Sequence, residues 1–489
     1  MTPTLEQSSV PVDVSLDSAI RKTGHSSEEP GAWRRTLLFG ALGAAILCWV
    51  ALYNGYPTVT PDSGWYLRNG AFQIAMYPFR APGYGAFTRW TSLGTSAWFT
   101  IAAQAIVVVY VLHETLAHLI GGGRKYDRKY IDRCLLSGVC VLAALTSLPW
   151  VTSQIMPDVF AGVLFLSAFL LAFADEFGTG RRIVLALLLS ISVASHSSLF
   201  PIAALLVVAL LFLKLIGGRG YGLRPRWYLN ALVWVLMPIV AAGLWTAGQN
   251  QKMGLGFRLS ASTNTFLLAS LFGNGLAVDF LRTNCPEHPY ISCRYLSNPP
   301  RDPQDFFWSH PLVHDLAGHE DEAKAIVHGA IIANPQKFVV SGLQLTLLQL
   351  VAVRTGEAMQ LDFRADYNLL GDIFTVLPRD IRGFMLARQF NERLYKLTET
   401  VAPVHTAIFW FGLIGCLLFA WIGRFSRVNR FLVAATAFLV FNAAVCGATS
   451  GVYNRYQSRV AWIVPLCLFA YFCCMLRDRK SATAELEPR

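Results

Sequence analysis

The chain alternates long apolar runs with short polar connections, and ten of the runs approach the length of a membrane span: 36–53, 96–120, 134–150, 157–174, 182–196, 200–216, 228–248, 403–423, 430–449 and 459–476. A helical crossing takes about 20 mostly apolar residues. The pattern therefore predicts an all-α polytopic membrane protein with about ten transmembrane helices and outer connections that carry short interfacial helices. The implied organisation is a polar cytoplasmic tail (1–34), a transmembrane module (35–248) with outer connections at 54–95 and 150–158, a large outer region (249–402), a last group of spans (403–476) and a second tail (477–489). The outer region is too long for an ordinary connection and is expected to be functional or to carry structure of its own. Within it, Lys337 to Val353 is apolar enough to cross. A single crossing there would reverse every later loop, so the segment reads as a helix in or on the outer leaflet, with Lys337, Gln344 and Gln349 at the interface. The alternative is that Phe266 to Phe280 crosses as well, giving twelve spans.

Composition supports a bilayer setting, because a chain 54% hydrophobic and only 15% charged cannot enclose itself in polar surface as a soluble globule. The net charge of +11 would by itself raise the question of nucleic acid. With ten spans, however, the basic loops all fall on one side: Arg34 and Arg35, then Arg124 to Arg133, Arg181 and Arg182, Lys214 to Arg226, Arg424 to Arg430, and Arg477 to Lys480. That side is the cytoplasm, so topology accounts for the charge and no nucleic-acid partner is indicated. The first 30 residues lack the basic-then-apolar order of a secretory signal and read as a disordered tail before an uncleaved anchor.

The candidate chemistry lies on the other side. Tyr56-Pro57-Thr58-Val59-Thr60-Pro61-Asp62-Ser63-Gly64 follows the first span, and Asp62-Ser63 is expected to cap a short surface helix running to about Ala75. Capping alone would satisfy Asp62. A second carboxylate, Asp158 in Met156-Pro157-Asp158, and His196 are expected at the same face, and three polar groups converging there exceed what capping needs. A carboxylate at that position can take a proton from an incoming hydroxyl while a lipid co-substrate lies in the bilayer beside it. Arg80 and Arg455 place positive charge outside, against the prevailing bias, where a guanidinium can bind a phosphate bidentately. Headgroup snorkelling explains many interfacial arginines equally well, and is less comfortable for Arg459, already inside the last run. Tyr453-Asn454-Arg455-Tyr456 adds rings that an interfacial belt could also explain.

Several features are given structural readings. Cys285 and Cys293, eight residues apart in an outer region, are expected to form a disulfide; a zinc pair with His288 is the weaker alternative. His113, Glu114 and His118 read as a structural polar cluster. Asp305, His310, His314, Asp315, His319, Glu320 and His328 match no metal spacing and read as surface solvation. There is no Walker loop, dinucleotide fingerprint or nucleophile elbow. No metal site and no cofactor are expected.

Taken in order, Asp62-Ser63-Gly64-Trp65-Tyr66, then Arg80-Ala81-Pro82-Gly83-Tyr84, Ser92-Leu93-Gly94, Met156-Pro157-Asp158, and Asn454-Arg455-Tyr456 ahead of a last span containing Pro465, the motifs resemble the glycosyltransferase-C superfamily. The likeness covers residues 35–200 and, more loosely, 403–476. It implies an inverting transferase that moves a sugar from a polyprenyl-phosphate-linked donor to a glycan, lipid or protein acceptor, in a bacterial inner membrane with both termini cytoplasmic and the active site facing the periplasm. Carried over by position, Asp62 is the general base and Asp158 assists substrate or metal binding. Arg80, Arg455 and Tyr456 hold the carrier phosphate, with Tyr66, Tyr84, His196 and Arg459 completing the substrate-binding set. The sequence departs from the pattern in one respect: many relatives pair acidic residues in the first outer loop, and here Asp62 is followed by Ser63. The rival readings are a polytopic transporter or flippase, whose charges would mark a pathway, and a non-catalytic scaffold using the outer region as an interaction surface.

Overall fold

Helices account for almost all of the regular structure in the computed structural model, which describes residues 32–73, 80–121, 128–218, 225–357, 359–360, 367–422 and 426–486. The expected N-terminal tail lies almost wholly outside the described residues. The first apolar run divides at Cys48 into α1 (Ala32–Leu47) and α2 (Trp49–Asn54), and Gly55, at φ 85°, ends the second piece. The outer connection carries α3 (Pro61–Phe72) and α4 (Pro82–Ser92). These two cross so closely that a Cβ on Gly70 would lie 2.1 Å from the Gly85 carbonyl oxygen, a backbone contact that only glycine permits.

The chain continues through α5 (Ala97–Gly121) and α6 (Arg128–Leu145). The expected span 134–150 is not one rod: it breaks at Thr146 and Ser147, and Pro149 starts the short α7 (Leu148–Thr152). Then come α8 (Val159–Phe173), α9 (Thr179–Ser195), α10 (Leu199–Gly218) and α11 (Pro225–Lys252). Every residue of α8 is buried, which makes it the axis of the main apolar cluster.

The described residues of 249–402 are largely helical. α12 (Thr263–Gly273) and α13 (Leu276–Asn284) meet at 92° where Gly275 takes φ 79°, so Phe266 to Phe280 does not form a straight crossing helix. With α14 (Pro303–Trp308), α15 (Leu312–Asp315) and α16 (Glu320–Ala333) they enclose a second apolar cluster, built on Leu271, Leu281, Phe306 and Ile326. The expected disulfide is present, joining Cys285 to Cys293 with 5.8 Å between their Cα atoms. α17 (Pro335–Val351) leaves Val339, Leu343 and Leu347 exposed. Gln349, expected at the interface, is instead fully buried. α17 seats on the last helices at Gly447, where a Cβ would come within 2.7 Å of the Leu345 carbonyl oxygen.

The chain closes with α18 (Tyr367–Val376), α19 (Ile381–Leu386), α20 (Arg393–Ile422), α21 (Ser426–Ser450), α22 (Asn454–Ala461) and α23 (Ile463–Leu486). Among the described residues, six stretches are long and apolar enough to cross a membrane: α5, α10 from Leu199 to Ile216, α11 from Tyr228, α20, α21, and α22 with α23 to Arg479. The bent α12–α13 pair would make a seventh if it counted as one broken span. These helices mark a membrane-embedded α-helical protein.

Candidate functional site

Asp62 stands in the first turn of α3, but it does not cap the helix. The Ser63 hydroxyl accepts the Thr60 N–H at 2.9 Å, the Ser63 N–H donates to the Thr60 carbonyl at 2.9 Å, and Pro61 has no N–H to satisfy. The expected end of this helix at Ala75 lies outside the described residues. Relieved of capping, the Asp62 carboxylate pairs with Arg80 through one oxygen and with Arg455 Nη1, at 3.4 Å, through the other. Burial alone would raise the Asp62 pKa, but the charges of Arg80 and Arg455 outweigh it and hold the carboxyl below its ordinary range.

Arg455 continues to the second carboxylate, its Nε donating to Asp158 Oδ2 at 2.9 Å. Arg459 Nη1 donates to Asp158 Oδ1 at 3.3 Å. Two aspartates and three arginines thus form one chain, brought together from α3, the approach to α4, the start of α8 and α22. The chain is graded in exposure. Side chains of Asp62, Arg80 and Arg455 are 12–16% exposed, whereas those of Asp158 and Arg459 are 0% exposed. Asp158 can therefore orient Arg455 but has no open face for a substrate, and Arg459 is a strut rather than a binding group. Its Nη2 donates to Asn442 Oδ1 at 2.8 Å and to Ser198 Oγ at 3.4 Å.

The other expected binding residues separate in the same way. Tyr456 lies under both guanidinium groups, its ring centroid 5.9 Å from Arg455 and 5.4 Å from Arg459. Arg80 stacks over Trp65 at 4.6 Å. His196 joins the cluster only through Ser198, whose hydroxyl lies 2.8 Å from its Nδ1. Tyr66, on the Asp62 helix itself, and Tyr84, on α4, are buried and meet edge to face at 5.2 Å. Tyr84 donates to Gln104 Oε1 at 2.7 Å, and burial pushes both phenols above their ordinary pKa.

The sequence reading missed the residues that hold this loop in place. Gln389 Nε2 donates to the carbonyls of Val59 (2.7 Å) and Met359 (3.0 Å), and its Oε1 accepts the Val59 N–H at 3.1 Å. Asp380 accepts from the Tyr56 hydroxyl at 3.0 Å and from the Ala97 N–H at 2.8 Å. Asp372 takes Arg68 Nη1 at 2.7 Å and packs on Gly64, where a Cβ would lie 2.6 Å from its Oδ2. All three come from residues 367–392, where no motif marked them. Gln104 did carry a signal, as a lone amide within an apolar run; it donates to the Thr152 and Gln154 carbonyls at 2.8 and 3.0 Å. This fixes the second outer connection, which pairs with the first through a bridge between Thr58 and Gln154.

A second charged cluster occupies the opposite end of the bundle. Asp132 accepts from Arg35 Nε at 2.9 Å, and His113 lies between Glu114 (3.2 Å) and Asp132 (3.9 Å). Arg181 faces Glu114 at 3.4 Å, while Glu176 takes His118 at 2.8 Å and Arg427 at 3.2 Å. The polar cluster read from His113, Glu114 and His118 is thus an ion-pair network. Among the described residues no group of three or more His, Cys, Asp and Glu side chains is arranged to hold a metal ion. No family model, no curated protein and no solved structure matches this chain.

Proposed function

We propose that this protein is an inverting membrane glycosyltransferase that moves a sugar from a polyprenyl-phosphate donor to a glycan, lipid or protein acceptor. In this reading the ten apolar runs are ten helical passes, both termini lie in the cytoplasm, and the Asp62 site opens to the periplasm of a bacterial inner membrane. The observation that carries the reading is the shared pairing of Asp62: a partly exposed carboxylate held by two partly exposed guanidiniums, Arg80 and Arg455. An aspartate that only needed an ion pair would be served by one.

The chemistry follows from that pairing. A donor phosphate competes with Asp62 for Arg80 and Arg455, since guanidinium binds phosphate at least as well as carboxylate. As the arginines turn to the phosphate, Asp62 loses the charges that keep it weakly basic and becomes available to the acceptor hydroxyl. The acceptor oxygen attacks the anomeric carbon from the face opposite the phosphate. The carbon–oxygen bond to phosphate breaks, its electron pair leaves on the polyprenyl phosphate, and Asp62 takes the hydroxyl proton. The arginines stabilise the negative charge on the departing phosphate, and Asp158 with Arg459 keeps Arg455 aligned. Metal is not required for any of these steps.

The test is retention of a polyprenyl phosphate. Native mass spectrometry of the full-length protein in nanodiscs, titrated with undecaprenyl phosphate, is expected to show one bound lipid that Arg455→Lys weakens. Mass spectrometry of envelope glycans from a deletion strain is expected to show a missing sugar. A protein that binds no lipid phosphate, or an Asp62→Asn variant that restores the glycan fully, would remove this reading and favour a transporter.

A further inference from the structure

We infer that Glu357, in the segment following α17, is the positioning residue that fixes Arg455. The inference rests on the functional reading above and names a residue that reading does not use. The argument begins with an uncapped helix. α22 carries Arg455 in its first turn, yet its N-cap is Tyr453, whose side chain makes no capping hydrogen bond. The first N–H groups of a helix have no partners within it, and in a largely buried place each must be satisfied from outside.

Glu357 provides that partner. One carboxylate oxygen accepts the Arg455 N–H at 2.8 Å, and the other lies 3.4 Å from Asn454 Nδ2. Neighbouring contacts make this a clasp. The Arg354 N–H donates to Asn454 Oδ1 at 3.2 Å, Gln349 Nε2 donates to the Tyr453 carbonyl at 2.8 Å, and Gln349 Oε1 accepts the Tyr453 N–H at 2.9 Å. Residues 453–455 are therefore gripped from one side by residues 349–357, themselves anchored where α17 seats on Gly447.

The clasp acts on the backbone and leaves the guanidinium to Asp62 and Asp158. A carboxylate at a helix N-terminus is favoured by the aligned peptide dipoles, so Glu357 has a reason to address the Arg455 N–H rather than its side chain. Arginine is flexible, and its fork recognises an anion only when its base is fixed. Asp158 fixes one edge of that fork, and Glu357 fixes the Cα from which it extends. The outer region is thus a working part of the site, although Glu357 touches no reacting atom.

The experiment is undecaprenyl phosphate titration of full-length protein in nanodiscs, read by native mass spectrometry, with melting temperature measured in parallel. Glu357→Ala is expected to weaken binding by roughly tenfold, the scale of losing one charge-assisted hydrogen bond. Glu357→Gln keeps an acceptor for the Arg455 N–H and is expected within about threefold of wild type. A variant with Cys285→Ser and Cys293→Ser is expected to melt earlier with unchanged affinity, which separates general destabilisation from positioning. If Glu357→Ala does not fold, Gln349→Ala, which opens the same clasp at Tyr453, is expected to weaken binding as well. Wild-type affinity in a folded Glu357→Ala or Gln349→Ala protein would overturn the inference and leave the functional reading standing. Absence of binding in the wild type would overturn both.

Discussion

The two ends of the helix bundle are both charged, and they are built differently. α8 separates them: Asp158 precedes its first turn and Glu176 follows its last, with 15 helical residues, or about 22 Å, between. At the Glu176 end the three carboxylates Asp132, Glu114 and Glu176 face three arginines, Arg35, Arg181 and Arg427, and two histidines fill the gaps. Arg427 also donates to the His118 carbonyl at 2.9 Å, tying α21 to the end of α5. The Arg35–Asp132 and Arg181–Glu114 pairs each join two helices, and Lys214 pairs with Asp175 at the same end. At the Asp62 end two carboxylates face three guanidiniums, and Nε of both Arg80 and Arg459 is buried without a hydrogen-bond partner. A third carboxylate, Glu357, binds the α22 backbone at the Arg455 N–H. Unpartnered buried atoms occur at both ends, since Arg182 Nη1 and Glu114 Oε2 are also without a hydrogen-bond partner, so what sets the Asp62 end apart is that one carboxylate is shared by two partly exposed guanidiniums. Partly open guanidiniums beside a partly open carboxylate suit a site that admits an anion.

That contrast can be broken by mutation, most severely at Asp62. Asp62→Asn is expected to lower sugar transfer by about a thousandfold, the scale of a general base, with the protein still inserted and folded because Ser63 and Thr60 hold the helix start. Reconstituted transfer assays would measure it. Arg455→Lys keeps the charge and loses the fork, and is expected to cost on the order of thirtyfold in undecaprenyl phosphate affinity. The opposite end should respond in stability alone. Asp132 is 1% exposed and its partner Arg35 is 26% exposed, so Asp132→Asn is expected to destabilise by about 2 kcal/mol, below the cost of breaking a fully buried pair. A thermal melt reads that loss, and lipid-phosphate affinity should not move. If affinity fell with it, the two ends would not be independent.

The mildest test is pH. Because the folded Asp62 pKa is depressed, its ion pairs contribute stability above the ordinary carboxylate pKa, and that stability is lost as pH falls through the lowered value. The difference in melting temperature between wild type and Asp62→Asn is therefore expected to stay constant from neutral pH to about pH 4 and to shrink below it. A difference that shrank already near pH 6 would mean that Asp62 is not held by Arg80 and Arg455.

Much of the site was legible before the structure because membrane insertion sorts residues by physical cost. Charge is expensive inside an apolar chain, so Asp62, Asp158, Arg80, Arg455 and Arg459 stand out in sequence, and the structure brings all five into one chain. Their individual uses were not legible. Sequence separates neither the partly open Asp62 from the enclosed Asp158, nor Arg455 from the strut Arg459, because exposure depends on what packs over each group. Tyr66 and Tyr84 were marked by their place in the Asp62 and Arg80 motifs, not by charge, and both are buried against each other.

The sequence by itself determined that this is an α-helical membrane chain, which end of the pattern holds its unusual acids and bases, and that Cys285 can reach Cys293. These depend on local composition and short spacing. Tertiary structure alone decided that α12 and α13 meet at a sharp bend, that Gln349 is buried, and that Asp372, Asp380, Gln389 and Glu357 hold the loops bearing Asp62 and Arg455. Those contacts join residues about 100 to 330 positions apart. No periodicity encodes a partner at that distance; only the packing of the whole bundle brings such residues into contact.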